Sequence, residues 1–173
     1  AKLRRELQEK IKRVQKELKI TTVFVTHDQD EAMIMSDQIH LMNQGEIEQS
    51  GKPVQLYTHP VSKFAAEFIG HYNILDDRKL KVLLPERNFK EGYYAIRPET
   101  VQLQNTKMDD QDMLVFEAVV DDFISRGNVL RYTLRCKDIR FTSEVLFRSF
   151  ALFDIGQKVY VGIEPHNILA IRD

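Results

Sequence analysis

The chain has 173 residues, 43% of them hydrophobic and 29% charged, which is typical of one globular domain or two small ones. A formal net charge of -1 argues against nucleic acid as a partner, and no apolar run reaches the roughly 20 residues needed for direct membrane insertion. The single cysteine, Cys136, excludes an intrachain disulfide and fits a reducing cytosol.

The chain begins with a predicted amphipathic helix over residues 1–19. One face of that helix carries an apolar stripe formed by Leu3, Leu7, Ile11, Val14 and Leu18. Residues 20–26 (ITTVFVT) are β-branched or aromatic, which predicts a strand buried on both faces, as in a parallel sheet. Because the sequence starts inside a helix, with neither an initiator Met nor an N-cap residue, we expect a fragment of a longer protein.

A short helix and a hairpin are expected after this strand. Asp28 is the predicted N-cap of the helix, and Glu31 follows three residues later, as in a capping box. Residues 37–50 predict two strands joined by an Asn43-Gln44-Gly45 turn, whose residues tolerate a positive φ.

Two further short helices are predicted at residues 53–58 and 61–69, before the composition changes near residue 72. From there to the end, alternating apolar and polar runs predict a small β-barrel or sandwich. The predicted strands cover residues 93–96, 100–103, 114–120, 129–135, 139–141, 158–161 and 168–171. Cys136 lies in this alternating pattern, which favours a small strand residue over a nucleophile. We therefore divide the chain into residues 1–72 and 73–173.

The sequence lacks the motifs that would let this chain bind a phosphate or a metal by itself. Gly51-Lys52 is followed by Pro53 and has no upstream glycine, so it does not match the G-x-x-x-x-G-K-[ST] phosphate loop. The five histidines show no ligand spacing, and one cysteine cannot supply a zinc pair. We therefore expect no metal site and no cofactor bound to this chain alone.

His27 stands out by its position, because it follows the predicted buried strand. Ligands of open α/β sheets bind at the carboxyl ends of strands, where an imidazole could reach a phosphate or a nucleophilic water. The alternative is that His27 only hydrogen-bonds the turn that follows it. Position alone leaves both interpretations open.

Several strings occur in the order and spacing of one protein family. Residues 22–33 (TVFVTHDQDEAM) resemble the switch region of ATP-binding-cassette ATPases, and residues 37–51 are similar to the strand pair that follows that switch. Residues 55–70 (QLYTHPVSKFAAEFIG) look like the segment that links the ATPase to its C-terminal domain in importers of the sulfate, polyamine, iron and maltose type. Residues 95–99 (AIRPE) resemble the string that opens the C-terminal barrel of these proteins.

The resemblance implies an α+β fold in two parts. Residues 1–72, where the match is strong, would be the C-terminal remnant of an α/β P-loop ATPase core with its switch histidine and linker helices. Residues 73–173, where the match is looser, would be a small barrel of the oligonucleotide/oligosaccharide-binding-like (OB-like) type, the TOBE domain. The phosphate loop, the signature motif and the catalytic carboxylate of the family would all lie upstream of this chain.

In this family the histidine at the position of His27 contacts the terminal phosphate of ATP and helps to hold the attacking water. The resemblance therefore implies that His27 is a catalytic residue, whereas Asp28 stays a helix cap. ATP and Mg would be cofactors of the parent subunit. None is expected for this chain alone, which should be inactive without the phosphate loop.

The resemblance further implies a second copy of the subunit as homodimer partner, transmembrane permease subunits, and a peripheral position on the cytoplasmic side of the cell membrane. The barrel is expected to be regulatory or dimerising. Two alternatives stay open: a free-standing barrel that binds an oxyanion or another small ligand, and a nucleic-acid-binding barrel, which the near-neutral charge disfavours.

Two groups of barrel residues allow more than one interpretation. Arg97 and Glu99 could position the barrel or bind a regulator, but we favour a surface ion pair of little energetic weight. A set of aromatic residues could stack on nucleic-acid bases, but strand spacing favours a place in the core. This set consists of Tyr93, Tyr94, Phe116, Phe123 and Tyr132.

Overall fold

The computed structural model describes residues 2–110, 112–147 and 152–173. The chain forms two compact units, Ala1–Pro60 and Val61–Asp173. Helices and antiparallel strands both occur, so the predicted mixture of α and β structure is confirmed.

Among its described residues, the first unit contains three helices and one β-hairpin. Its elements are α1 (Lys2–Leu18), α2 (Gln29–Met35), β1 (Ile39–Asn43), β2 (Glu46–Gly51) and α3 (Pro53–Thr58). The hairpin turn is made by Gln44 and Gly45, with φ angles of 50° and 89°. Two-residue hairpin turns need this left-handed backbone, which Gly adopts at no steric cost. The predicted first helix, short helix and hairpin are confirmed.

Polar contacts join α1 to α2. Arg4, Gln8 and Lys12 are spaced four residues apart and therefore share one face of α1. Arg4 forms an ion pair with Glu31, Gln8 Nε2 donates to Glu31 Oε1 at 3.2 Å, and Lys12 Nζ donates to the Ile34 carbonyl at 2.8 Å. The apolar stripe of α1 lies elsewhere on the helix, and its five side chains are between 45% and 79% exposed.

The prediction of a buried strand over residues 20–26 is wrong for this structure. These residues form no strand, and Val23 and Val25 are 88% and 91% exposed. A strand needs hydrogen-bonded neighbours, and the described strands of residues 1–60 are β1 and β2, which pair with each other. The segment therefore has the composition of a buried strand without a sheet to join.

The second unit contains two helices and eight strands among the described residues. The helices are α4 (Lys63–Ile69) and α5 (Asp77–Leu83), and the strands are β3 (Asn73–Asp76), β4 (Tyr93–Ile96), β5 (Gln102–Gln104), β6 (Leu114–Arg126), β7 (Val129–Cys136), β8 (Ile139–Leu146), β9 (Lys158–Ile163) and β10 (Leu169–Ile171). Helix α5 was not predicted; Asp76 caps it by accepting from the Lys79 amide at 2.7 Å, and its Leu80 and Leu83 are buried.

Two antiparallel sheets enclose the core of this unit. Their strand orders are β10-β4-β3 and β5-β9-β6-β7-β8. Strand β6 pairs with β9 along its first half and with β7 along its second half, and a register shift between Val120 and Asp122 lies where the partners change. Such bulges bend a strand. Buried side chains from both sheets, such as Ile96 and Leu134, belong to one hydrophobic cluster. This architecture is consistent with the predicted OB-like barrel.

Asn73 connects the smaller sheet to the outer strand of the larger one. Its Nδ2 donates to the Thr142 carbonyl at 2.8 Å, and its Oδ1 accepts from the Thr142 amide at 2.6 Å. Because β8 is an edge strand, the Asn73 amide takes the place of a neighbouring strand at this position. Ser143, which is fully buried, donates to the Val101 carbonyl at 2.6 Å and adds a second connection to β8.

Candidate functional site

His27 lies between segment 20–26, which has no regular secondary structure, and helix α2, and its side chain is exposed. Among the described residues, no hydrogen bond or ion pair of its imidazole is present. The position differs from the sequence prediction in one respect, since no parallel sheet edge stands beside it in the described structure. The imidazole is nevertheless presented to solvent immediately before α2, whose N-terminus is capped by Asp28 and carries Asp30 and Glu31 in its first turn.

The backbone on both sides of His27 is held by side chains. Asp28 is the N-cap of α2, as predicted, and its Oδ1 accepts from the Glu31 amide at 3.1 Å. The Thr26 hydroxyl accepts from the Asp28 amide at 3.0 Å. It also donates to Glu31 Oε2 at 2.7 Å. In a capping box the Glu31 carboxylate would accept directly from the Asp28 amide. Here the Thr26 hydroxyl lies between them, accepting from the Asp28 amide and donating to Glu31.

Glu31 is the centre of this arrangement. Its side chain is only 13% exposed, and its carboxylate receives donors from Thr26, Gln8 and Arg4. Arg4 also reaches Asp28 Oδ2 at 3.5 Å. A sheltered carboxylate is tolerated when charge and hydrogen bonds compensate its lost hydration. Helix α1 therefore contributes to the local structure around His27 from a distant part of the sequence, which local sequence spacing did not reveal.

The described residues contain no group of three or more His, Cys, Asp or Glu side chains arranged to hold a metal ion. None of the described helices has the length and hydrophobicity required to cross a bilayer. The site around His27 thus consists of one exposed imidazole beside a capped helix N-terminus and the compensated carboxylate of Glu31.

Arg97 has a structural contact that the sequence did not predict. It is half-buried, and its Nη2 donates to Asn167 Oδ1 at 3.2 Å, whereas Glu99 is exposed. Arg97 precedes the 3-10 turn Pro98–Thr100, and Asn167 ends the equivalent turn Pro165–Asn167. The first turn leads from β4 to β5, which pairs with β9, and the second leads from β9 to β10, which pairs with β4. Arg97 therefore ties together the two crossings between the sheets.

The aromatic residues and the cysteine of the barrel are largely structural. Tyr132 is fully buried, Tyr94 is 9% exposed, and Phe116 packs beside Phe141 with ring centroids 5.6 Å apart, as the core interpretation predicts. Phe123 departs from it, since its side chain is 39% exposed. Cys136 ends β7, and burial raises the pKa of its thiol, which lowers its nucleophilicity.

A shallow groove on the barrel was not foreseen from the sequence. Its volume is ≈ 520 Å³, and the described residues that line it are mostly apolar, including Val101, Leu103 and Phe153. The ionisable residues in this lining, Glu99 and Glu144, are both acidic. Glu144 is compensated by an ion pair with Arg131, and the described lining includes no basic side chain that would attract an oxyanion. Residues from several separate segments form it, so no contiguous motif announces it.

Comparisons with known proteins give two results. Residues 94–171 match the family model described as "TOBE domain". Over 177 aligned positions the chain is 38% identical to the spermidine/putrescine import ATP-binding protein PotA of Bacillus thuringiensis subsp. konkukian (strain 97-27), and the match covers 99% of this chain and 49% of that protein. The proteins of the same name from Bacillus thuringiensis (strain Al Hakam) and Bacillus anthracis are also 38% identical, over 179 positions and with the same coverage.

The chain spans about half the length of the curated relatives it matches. The resemblance to ATP-binding subunits of importers is confirmed along the whole sequence, and so is the family of the barrel. The role of His27 is a separate question, because similarity of the whole chain does not establish what a single side chain does.

Proposed function

The chain is related along its whole length to import ATP-binding subunits and contains a TOBE domain, and on this premise we propose that its parent protein hydrolyses ATP to power solute uptake. In this proposal residues 1–72 complete the ATPase core and residues 73–173 form the barrel domain. ATP and Mg are cofactors of the parent subunit. The partners are a second copy of the subunit and transmembrane permease subunits, on the cytoplasmic face of the membrane.

His27 would act as the phosphate-contacting residue of the ATPase site. The single observation that carries this assignment is the exposed imidazole, without a bonding partner among the described residues, just before the N-terminus of α2. An imidazole donor at the terminal phosphate stabilises the charge of the transferring phosphoryl group and orients the attacking water. The phosphate loop and the magnesium ligands are not contributed by this chain, so it should not hydrolyse ATP alone.

The exposed apolar surface of residues 1–60 supports the same proposal. The stripe of α1 and the side chains of Val23 and Val25 are exposed in this structure. Clustered apolar side chains of this kind mark a surface that another element covers. We infer that the remainder of an α/β ATPase domain covers it, with residues 20–26 becoming a strand of that domain's sheet.

The decisive test of the catalytic assignment is the His27→Ala variant of the full-length subunit. We expect ATP turnover to fall by roughly 100-fold or more, as for the loss of a group that stabilises transition-state charge. His59→Ala is a suitable control, since His59 is exposed and lies on the C-cap of α3, away from the site residues in sequence. Unchanged turnover in the His27 variant would remove this role.

The barrel is proposed to regulate or dimerise the subunit without taking part in catalysis. Among its described residues there is no cluster with the chemistry of ATP hydrolysis, and its core is complete within residues 61–173. Deleting residues 73–173 from the full-length subunit should leave basal ATPase activity. Loss of all activity in a deletion variant that is still folded would contradict this separation.

A polyamine is the first solute to test, because the relatives reported above are named for spermidine and putrescine import. Uptake of labelled spermidine should be lost in cells without the gene and restored by the wild-type gene but not by its His27→Ala form. The alternative of a free-standing oxyanion-binding barrel is less favoured, because the described groove lining includes no basic side chain and the match extends over 99% of the chain.

A further inference from the structure

The residues on either side of His27 are more firmly held than His27 itself. Thr26 and Asp28 are bonded to each other and to Glu31, whereas the imidazole between them projects into solvent. N-capping by Asp28 satisfies the Glu31 amide, which is one of the four amides left unpaired at the start of α2, and the bonds made by Thr26 come in addition to this cap. The additional bonds hold the residues on both sides of His27, from which its side chain projects.

We propose that Thr26, Glu31 and Arg4 form a clamp that positions His27 for the phosphate, with Glu31 as its centre and Thr26 as the member next to His27 in sequence. The proposal rests on the proposed function, because it assumes that His27 meets a phosphate. Thr26, Glu31 and Arg4 are positioning residues in it and touch no substrate. The chemistry that they support is recognition of an anionic phosphoryl group by the imidazole.

Three features support the clamp. The Glu31 carboxylate accepts from three side chains although the loop that it serves is short. Two of the donors, Gln8 and Arg4, lie on α1, so this helix also contributes to holding residues 26–31. The Thr26 hydroxyl is used in both directions, as a donor to Glu31 and as an acceptor from the Asp28 amide. A valine at this position would have the same shape but neither bond.

The clamp predicts a difference between a substitution that removes the Thr26 hydroxyl and one that keeps it. Thr26→Val should loosen the segment, whereas Thr26→Ser keeps the hydroxyl and should preserve it. In the 173-residue chain, ¹⁵N relaxation of the amides of residues 26–28 should show greater mobility for Thr26→Val and Glu31→Gln than for the wild type. The control is Asp30→Asn, which removes one negative charge from the same helix at an exposed position.

In the full-length subunit, the same variants separate positioning from stability. Thr26→Val and Glu31→Gln should lower kcat by roughly 10- to 100-fold with little change in the KM for ATP, because small displacements of a catalytic group cost rate more than binding. Thr26→Ser should recover most of the rate. A merely structural role would lower the amount of folded protein and leave the kcat of the folded fraction unchanged.

The outcomes distinguish the two proposals. If His27→Ala leaves turnover unchanged, the proposed function of His27 fails. If His27→Ala abolishes turnover but Thr26→Val behaves like Thr26→Ser and Asp30→Asn, the clamp alone is wrong. If Glu31→Gln does not fold, the two Thr26 variants still decide, since each changes one small group on a partly exposed side chain.

Discussion

The two units of this chain differ in how much of their apolar surface is buried. In the barrel unit a large cluster of buried hydrophobic side chains joins strands of both sheets with α5, although other side chains, such as Leu146 and Ile155, are exposed. In residues 1–60 the buried hydrophobic side chains among the described residues are Leu41 and Leu56, while α1 and the segment 20–26 expose theirs. The barrel is therefore self-sufficient, whereas the first unit is held chiefly by capping and ion-pair contacts and presents an apolar surface for another element.

The largest expected effect contrasts a core position with an exposed one. Leu134→Ala removes a fully buried side chain from the barrel and should lower the free energy of unfolding by about 2–5 kcal/mol. Leu7→Ala removes a side chain that is 56% exposed on α1 and should change it by less than about 0.5 kcal/mol. Urea unfolding followed by near-ultraviolet circular dichroism measures both, and equal losses would end the distinction between the two units.

A smaller loss of stability is expected where Asn73 joins the smaller sheet to strand β8. Asn73→Ala leaves the Thr142 amide and carbonyl on β8 without their partners and should cost about 1–3 kcal/mol. Asn88→Ala provides a matched control, because Asn88 is exposed. Hydrogen exchange would also localise the effect, since faster exchange should begin at β8. If the urea midpoint of unfolding of the variant equals that of the wild type, the bonds of Asn73 to Thr142 do not stabilise the barrel.

The smallest of these effects concerns the cap of α2. Asp28→Ala removes the acceptor for the Glu31 amide and should destabilise the helix by about 1 kcal/mol. Because α2 has no buried residues, this loss should appear as local hydrogen exchange of α2 and not as a shift of the global unfolding transition. Asp30→Ala is the control on the same turn; a global shift for Asp28→Ala would mean that residues 1–60 and the barrel unfold together.

The strands of the barrel could be predicted from the sequence because their hydrogen-bonding partners lie in the same unit. Apolar and polar residues alternate along 114–120 and 129–135, which indicates a sheet with one buried and one exposed face. The corresponding strands, β6 and β7, pair with each other in the structure. Helix α5 was not predicted because it has only seven residues. Its two buried positions, Leu80 and Leu83, are too few to show a helical periodicity in the sequence.

The prediction failed at residues 20–26 for a physical reason. Composition indicates that a segment can be buried in a sheet, but strand structure also requires neighbouring strands, and none stands beside it in the described structure. The contacts of Glu31 with α1 were not predicted either, because they also depend on residues distant in sequence. The capping-box spacing correctly identified Asp28 and Glu31, but Gln8 lies 23 residues away in sequence, and no local pattern links it to Glu31.

The most direct test of the account is hydrogen exchange of the amides of residues 20–26, measured in this 173-residue chain and in the full-length subunit. If these residues complete the sheet of an ATPase core, their amides should exchange rapidly in the chain and become strongly protected in the full-length protein. Rapid exchange in both proteins would contradict the account, because the segment would then remain outside any sheet and His27 would have no place at the end of a strand.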